Sequence, residues 1–202
     1  LSFIENSKDA VKRFRAKTLT NSNSPDADQY GLALALTANG EFDEAQQLLT
    51  LLRNPSPNKI CYITAQSELD IAQGNNSGAI SLLNDALSIG PGNHPLTMAM
   101  VEALLAANQP HRAEQLLQEH VKRKPNDPSV WYLLAETHGL AGNIIGVHKA
   151  RAEYFLLIGV LDIASRQLSY ALPLVKNDHL ETIRIQERIA QISRMKVEMA
   201  NL

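Results

Sequence analysis

The chain has 202 residues, a formal net charge of −2, 45% hydrophobic residues and one cysteine, Cys61. The hydrophobic and charged fractions are those of a globular protein rather than a disordered tail, and the near-neutral charge argues against nucleic acid as a partner. The single cysteine excludes an internal disulfide framework and a multi-cysteine zinc site, and no apolar run is long enough to span a membrane.

Residues 1–20 predict a helix, because apolar side chains recur through Phe3, Phe14 and Leu19. This helix either caps the front of the fold or forms the junction to a missing upstream domain, and the sequence leaves both open. Because the chain starts at Leu1 rather than at Met, we expect it to be a fragment or a mature piece. The stretch Asn21–Pro25 has the composition of a linker.

A repeat with a period of 34 residues starts near residue 26. The residues that return in register are Gly40, Gly74, Asn108 and Gly142; Ala45, Ala79 and Ala113; Leu49, Leu83 and Leu117; and Pro57, Pro91 and Pro125. The segment Trp131–Asn143 shows the motif best, with His138 in a position usually held by Tyr. This period and pattern resemble the tetratricopeptide repeat, in which each unit is a pair of antiparallel helices.

Packing explains the spacing of these residues. The alanines are expected where two helices cross closely, and the leucines one turn further along the same buried face. The residues in the Gly40 series are expected at turns that need a positive φ angle, and the prolines of the Pro57 series should end the second helix of each pair. Asp127 and Ser24, which precede prolines, are expected to be N-caps.

The repeat is compressed near its end. Gly159 lies only 17 residues after Gly142, so the helix from about residue 144 to 158 is predicted to close the fourth unit and to open the fifth. The segment 178–202 predicts an amphipathic capping helix. The prediction is therefore an all-α, tetratricopeptide-like α-solenoid of about five helix pairs within 26–176, with units that start near residues 26, 60, 94, 128 and 145 and a capping helix at each end.

No catalytic constellation is evident in the sequence. The six histidines include no HExxH motif and no pair four residues apart, so we interpret them as surface residues, with His138 filling the repeat position usually held by Tyr. Cys61 is interpreted as a small helix residue, and no phosphate-binding glycine loop occurs. We therefore expect this chain to be no enzyme and to hold no cofactor or metal.

The first helices of the repeats are expected to line a concave groove. The predicted groove positions are Tyr30, Leu34, Thr37, Thr64, Glu68, Ile71, Met98, Glu102, Leu105, Tyr132, Glu136, Lys149 and Glu153. Glu68, Glu102 and Glu136 are 34 residues apart and should form a carboxylate row. Such a groove suits a protein or peptide segment with Lys or Arg between apolar residues. The alternative is that the row is a solvated helix face without a ligand.

Two segments resemble a more specific family. His148–Val175, with ARAEYF followed by GVLDIASRQLSYAL, and Ile183–Ile192, with IRIQERIAQI, are similar to the C-terminal end of the periplasmic, repeat-containing zinc metalloproteases, the β-barrel assembly-enhancing protease family. In that family a zinc protease domain with HExxH precedes the repeats, and the repeats contact the outer-membrane assembly machinery and its substrates. The present sequence holds none of the family's zinc ligands or catalytic residues.

The resemblance implies that the chain is the recruiting domain of a periplasmic zinc metalloprotease with a role in outer-membrane protein assembly or quality control. Its partners would then be the assembly machinery, the substrates of that machinery, or the protease domain of the parent protein, and the zinc would lie in that upstream domain. The alternative is a free-standing cytoplasmic scaffold or regulator unrelated to proteolysis.

Overall fold

The computed structural model describes residues 7–20 and 25–200, and within these ranges every regular element is a helix. The α-helices are α1 Ser7–Thr20, α2 Pro25–Asn39, α3 Phe42–Arg53, α4 Ile60–Ala72, α5 Asn76–Ile89, α6 His94–Ala106, α7 Pro110–Arg123, α8 Pro128–Leu140, α9 Ile144–Leu157, α10 Leu161–Ala171 and α11 His179–Ala200. A single turn of 3₁₀ helix, Leu172–Val175, follows α10. The predicted all-α class is confirmed. The predicted division into repeats and end helices stays a prediction.

The helices form two compact units, Leu1–Asn108 and Gln109–Leu202. In the first unit α1 packs on α2, α2 on α3, α3 on α4, α4 on α5 and α5 on α6. The first helices of successive pairs also touch, α2 with α4 and α4 with α6. The repeat residues Ala45, Leu49, Ala79 and Leu83 are fully enclosed. They therefore occupy the helix crossings that the 34-residue spacing predicts.

In the second unit α7 packs on α8, α8 on α9, α9 on α10 and α10 on α11. Ala113 and Leu117 are again fully enclosed. Helix α9 packs against both α8 and α10, and its predicted double role, closing one helix pair and opening the next, stays a prediction. Ile185 and Ile192 bring α11 into a core shared with α10.

The turns between paired helices show why glycine recurs with the repeat. The residues with positive φ at these turns are Gly40, Gly74, Gly142 and Gly159 at 77–81° and Asn108 at 55°, and Gly92, in the connection between α5 and α6, has a φ of 73°. No atom lies within 4 Å of a Cβ built on Gly74, so the backbone angle rather than space selects glycine there. Asp127 caps α8 by accepting a hydrogen bond from the Ser129 amide, as predicted. Ser24 lies outside the described residues.

Candidate protein-binding surfaces

The first unit presents the first nine predicted groove positions on α2, α4 and α6, the helices that pack side by side. We call this surface the acidic face: Tyr30, Leu34, Thr37, Thr64, Glu68, Ile71, Met98, Glu102 and Leu105. None of the nine is buried, whereas Leu36, Leu69 and Val101 on the same helices are enclosed. The predicted positions are thus accessible to a partner, and binding by them stays a prediction.

Two like charges meet on the acidic face. Glu68 and Glu102 are both exposed, yet surrounding protein atoms displace enough water that burial raises the pKa of each carboxyl group. Repulsion from Glu102 raises the pKa of Glu68 further. Both carboxyl groups are therefore accessible and partly desolvated. Two such groups side by side favour an incoming cation.

An aromatic pair borders this acidic site. The ring centroids of Tyr30 and Tyr62 are 5.7 Å apart, and burial, followed by the charges of Cys61 and Glu68, raises the pKa of the Tyr30 phenol. Lys59 donates a hydrogen bond to the Tyr62 hydroxyl at 2.9 Å and lies 4.3 Å from the centroid of the same ring. Tyr62 was not among the predicted groove residues, because it occupies a buried position of the repeat.

The third glutamate of the predicted row lies in the second unit. The Glu136 carboxylate accepts a hydrogen bond from the Tyr132 hydroxyl, which raises the pKa of Tyr132. Because Glu68 and Glu102 belong to the first unit, the alignment of all three carboxylates in one row stays a prediction.

Tyr132 and Glu136 line a cleft of about 230 Å³ in the second unit. We call it the Tyr132 cleft, and its lining consists of Tyr132, Ala135, Glu136, Arg151, Tyr154, Phe155, Ile163 and Gln167. The rings of Tyr132 and Tyr154 are 5.6 Å apart, and those of Tyr154 and Phe155 are 5.2 Å apart, in edge-to-face arrangements. The sequence offered a signal for these residues, the aromatic pair within ARAEYF, which served there only to identify the family resemblance.

The structure separates Lys149 and Glu153 from the Tyr132 cleft. Lys149 forms an ion pair with Glu181 of α11, and Arg188 of α11 donates from Nε to Glu153 Oε1 at 2.8 Å. The residue spacing grouped both residues with Tyr132 and Glu136, on the premise that α9 is the first helix of a pair. Another side of α9 lines the cleft, through Arg151, Tyr154 and Phe155.

His120 corrects the expectation of surface histidines, whereas His138 was predicted to fill the Tyr position of the repeat. His120 and His138 are buried, at 2% and 5% exposed. His138 Nδ1 lies 2.8 Å from Glu114 Oε1, and burial lowers the pKa of the imidazole despite this carboxylate. Gly146 packs against the ring so closely that an added Cβ would lie 2.7 Å from it. His138 therefore fills its repeat position as a core residue that needs one polar partner.

Within residues 7–20 and 25–200, no group of three or more His, Cys, Asp or Glu side chains is arranged to hold a metal ion. Over the same described part of the chain, none of the helices combines the length and apolar character needed to cross a bilayer.

Known families account for the helical repeat. Two family models, both described as tetratricopeptide repeat, match residues 30–94 and 70–137. A thermophilic TPR protein of Thermus thermophilus has a similar structure, with a TM-score of 0.52 and 20% identity over 92% of this chain and 90% of that one. A tetratricopeptide repeat protein of Parabacteroides merdae gives a TM-score of 0.57 and 12% identity over 93% and 78%. These likenesses confirm the tetratricopeptide-like solenoid class.

Curated relatives confirm the more specific resemblance. The chain is 32% identical over 169 residues to the beta-barrel assembly-enhancing protease of Yersinia pestis and 31% identical over 170 residues to that of Escherichia coli. A putative member from Vibrio cholerae is 34% identical over 164 residues. The first two matches cover 84% of this chain but 35% of each relative. The chain thus spans about a third of the length of these relatives.

Proposed function

Because this chain is a tetratricopeptide-repeat protein, we propose that it binds a segment of another protein on the acidic face of its first unit. Repeat arrays of helix pairs bind partners on the extended surface that successive helices present. The observation that carries the proposal is the pair of accessible carboxylates of Glu68 and Glu102 on the adjacent helices α4 and α6, close enough for their charges to interact.

The chemistry of the face defines the ligand. Tyr30, Ile71 and Met98 are only partly buried and supply apolar contacts beside the two carboxylates. A partner with Lys or Arg between apolar side chains can bury its apolar groups there and place its cation at the glutamates. Such a cation relieves the repulsion between Glu68 and Glu102, which favours it over a neutral or acidic segment.

The similarity to beta-barrel assembly-enhancing proteases suggests the larger setting. We propose that the chain is the recruiting region of a periplasmic zinc metalloprotease that acts in outer-membrane protein assembly or quality control. Its partners would be the assembly machinery, the substrates of that machinery, or the protease domain of the same protein. We assign the zinc and the proteolytic chemistry to the part of the relatives that this chain does not cover.

The gene tests this setting directly. Sequencing upstream of the Leu1 codon should reveal an export leader followed by an HExxH motif. A start codon directly before Leu1 would contradict the protease setting and leave a free-standing scaffold, whereas the binding proposal would stand.

A charge-reversal experiment tests binding by the acidic face. The probe is a capped, fluorescently labelled peptide in which Lys alternates with Leu, and the readout is anisotropy. The double variant Glu68→Lys/Glu102→Lys should bind it at least tenfold more weakly, because two attractive contacts become repulsive. Adding Glu136→Lys tests whether the third glutamate belongs to the same site.

The matched control is Asp43→Lys/Asp85→Lys, which changes the net charge equally at two exposed positions outside the acidic face. Equal weakening by both double variants would show that net charge alone drives binding and would overturn the proposed site. Circular dichroism checks that each variant keeps its helices.

A further inference from the structure

The Tyr132 cleft carries a charge arrangement different from that of the acidic face. Its acid, Glu136, already accepts a hydrogen bond from Tyr132. Its base, Arg151, is exposed, and within residues 7–20 and 25–200 no carboxylate forms an ion pair with it. The other two charged groups of the same stretch of α9, Lys149 and Glu153, are held by α11. Arg151 is therefore the charged group of α9 that remains available to a ligand.

Arg151 lies beside an apolar surface that a ligand can enter. Tyr132 is 50% exposed, and its ring continues into those of Tyr154 and Phe155. Arg151 is close enough to Tyr132 for its charge to act on the phenol. An exposed tyrosine next to an arginine is a combination that often dominates binding energy at protein interfaces.

We propose that the Tyr132 cleft binds a protein segment in which a large apolar or aromatic side chain lies next to an acidic side chain. The apolar side chain enters between Tyr132, Tyr154 and Phe155, and the carboxylate pairs with the Arg151 guanidinium, whose planar fork matches it. This inference deepens the proposed protein-binding function but does not depend on the acidic face, whose ligand carries the opposite charge.

Two peptides test the proposal on the full chain. Both are nonapeptides of Ser, Gln and Ala with one central Phe, a fluorescent label on the N-terminal amine and an amidated C-terminus, and they differ only in the residue beside the Phe, Glu or Lys. Fluorescence anisotropy gives the Kd. We expect the Glu peptide to bind the protein about tenfold more tightly than the Lys peptide, the difference that one charge-assisted contact makes.

Variants then locate the site. Arg151→Glu should weaken the Glu peptide about tenfold and reverse the preference toward the Lys peptide. Arg194→Glu, on the exposed side of α11 and outside the cleft, makes the same charge change and should leave both Kd values unaltered. Tyr132→Ala should weaken both peptides, because it removes the shared aromatic contact.

Two results would overturn the proposal. They are equal affinity for the two peptides and an unchanged Kd in Arg151→Glu. Neither result alters the response of the Lys–Leu peptide to reversal of Glu68 and Glu102. Failure of the cleft and failure of the acidic face are therefore distinguishable.

Discussion

The two units differ in how they use charged residues at several of the predicted groove positions. In the first unit Glu68 and Glu102 lie together on an accessible face, and no ion pair among the described residues neutralises either of them. In the second unit Lys149 and Glu153 form ion pairs with α11. The predicted groove positions Glu68 and Glu102 are thus accessible to a partner in the first unit. In the second unit, Lys149 and Glu153 instead stabilise the fold through ion pairs.

The difference follows from where α11 packs. Its apolar face enters the core through Ile185 and Ile192, and its charged groups at the margins meet complementary charges on α9 and α10, including Lys196 with Asp162. The last helix pair of an array needs a further helix to cover its apolar face. When α11 covers that face, its charged side chains also pair with polar residues nearby. The difference between the two units therefore requires that α11 is an integral part of the second unit.

Removing core volume beneath α11 should have the largest effect on the free energy of unfolding. Ile192 is fully enclosed, so Ile192→Ala should lower the free energy of unfolding by about 2–5 kcal/mol, because the lost contacts leave a cavity. Urea denaturation of the full chain measures the loss, and hydrogen exchange should place it in α10 and α11.

Val197→Ala is the control, because Val197 lies on the same helix but is 61% exposed and should change stability little. If Ile192→Ala had an equally small effect, α11 would be a loosely attached helix, and the contrast between the two units would fail.

The repeat alanines should behave alike in both units. Ala79 in the first unit and Ala113 in the second are fully enclosed at equivalent repeat positions. Ala79→Leu and Ala113→Leu should each lower the free energy of unfolding by about 1–3 kcal/mol, because three added carbon atoms overpack a helix crossing. An unchanged melting midpoint in either variant would contradict the assigned repeat register.

The repeat register was the part of the fold that the sequence could predict. Alanines at helix crossings and a glycine or Asn108 at each tight turn recur because each position has one local requirement, a small side chain or a positive φ. The same register located the accessible positions of the acidic face, since a residue's side of a helix follows from its spacing.

The second unit was harder to predict because its decisive contacts involve an element outside the repeat. The pairing of Lys149 with Glu181 joins residues 32 positions apart, and no periodicity relates α11 to α9. The position of Arg151 in the Tyr132 cleft depends on which side of α9 faces α8, and the repeat spacing does not specify this. The burial of His138 depends on Gly146, whose missing side chain leaves room for the ring.

The pH dependence of stability should show the smallest of these differences between the two units. Burial raises the pKa of Glu68 above its usual 4.5, so its carboxylate weakens the fold at neutral pH, and this cost disappears as the pH falls below 4.5. A hydrogen bond from Lys149 lowers the pKa of Glu181. Its carboxylate therefore strengthens the fold above pH 4.5, and this contribution is lost as the pH falls through the lowered pKa.

Glu68→Gln should therefore stabilise the chain at pH 7, and Glu181→Gln should destabilise it. Each change should be below about 1 kcal/mol, because solvent screens the exposed Glu68 carboxylate and the exposed ammonium of the Lys149–Glu181 pair. In urea titrations the difference for Glu68→Gln should shrink as the pH falls toward 4.5, whereas that for Glu181→Gln should shrink only below 4.5, as the pH falls through the lowered pKa. A stabilising effect of the same sign in both variants would mean that α11 gains nothing from its ion pair with α9. The charged groove positions of the second unit would then contribute no more to stability than those of the first.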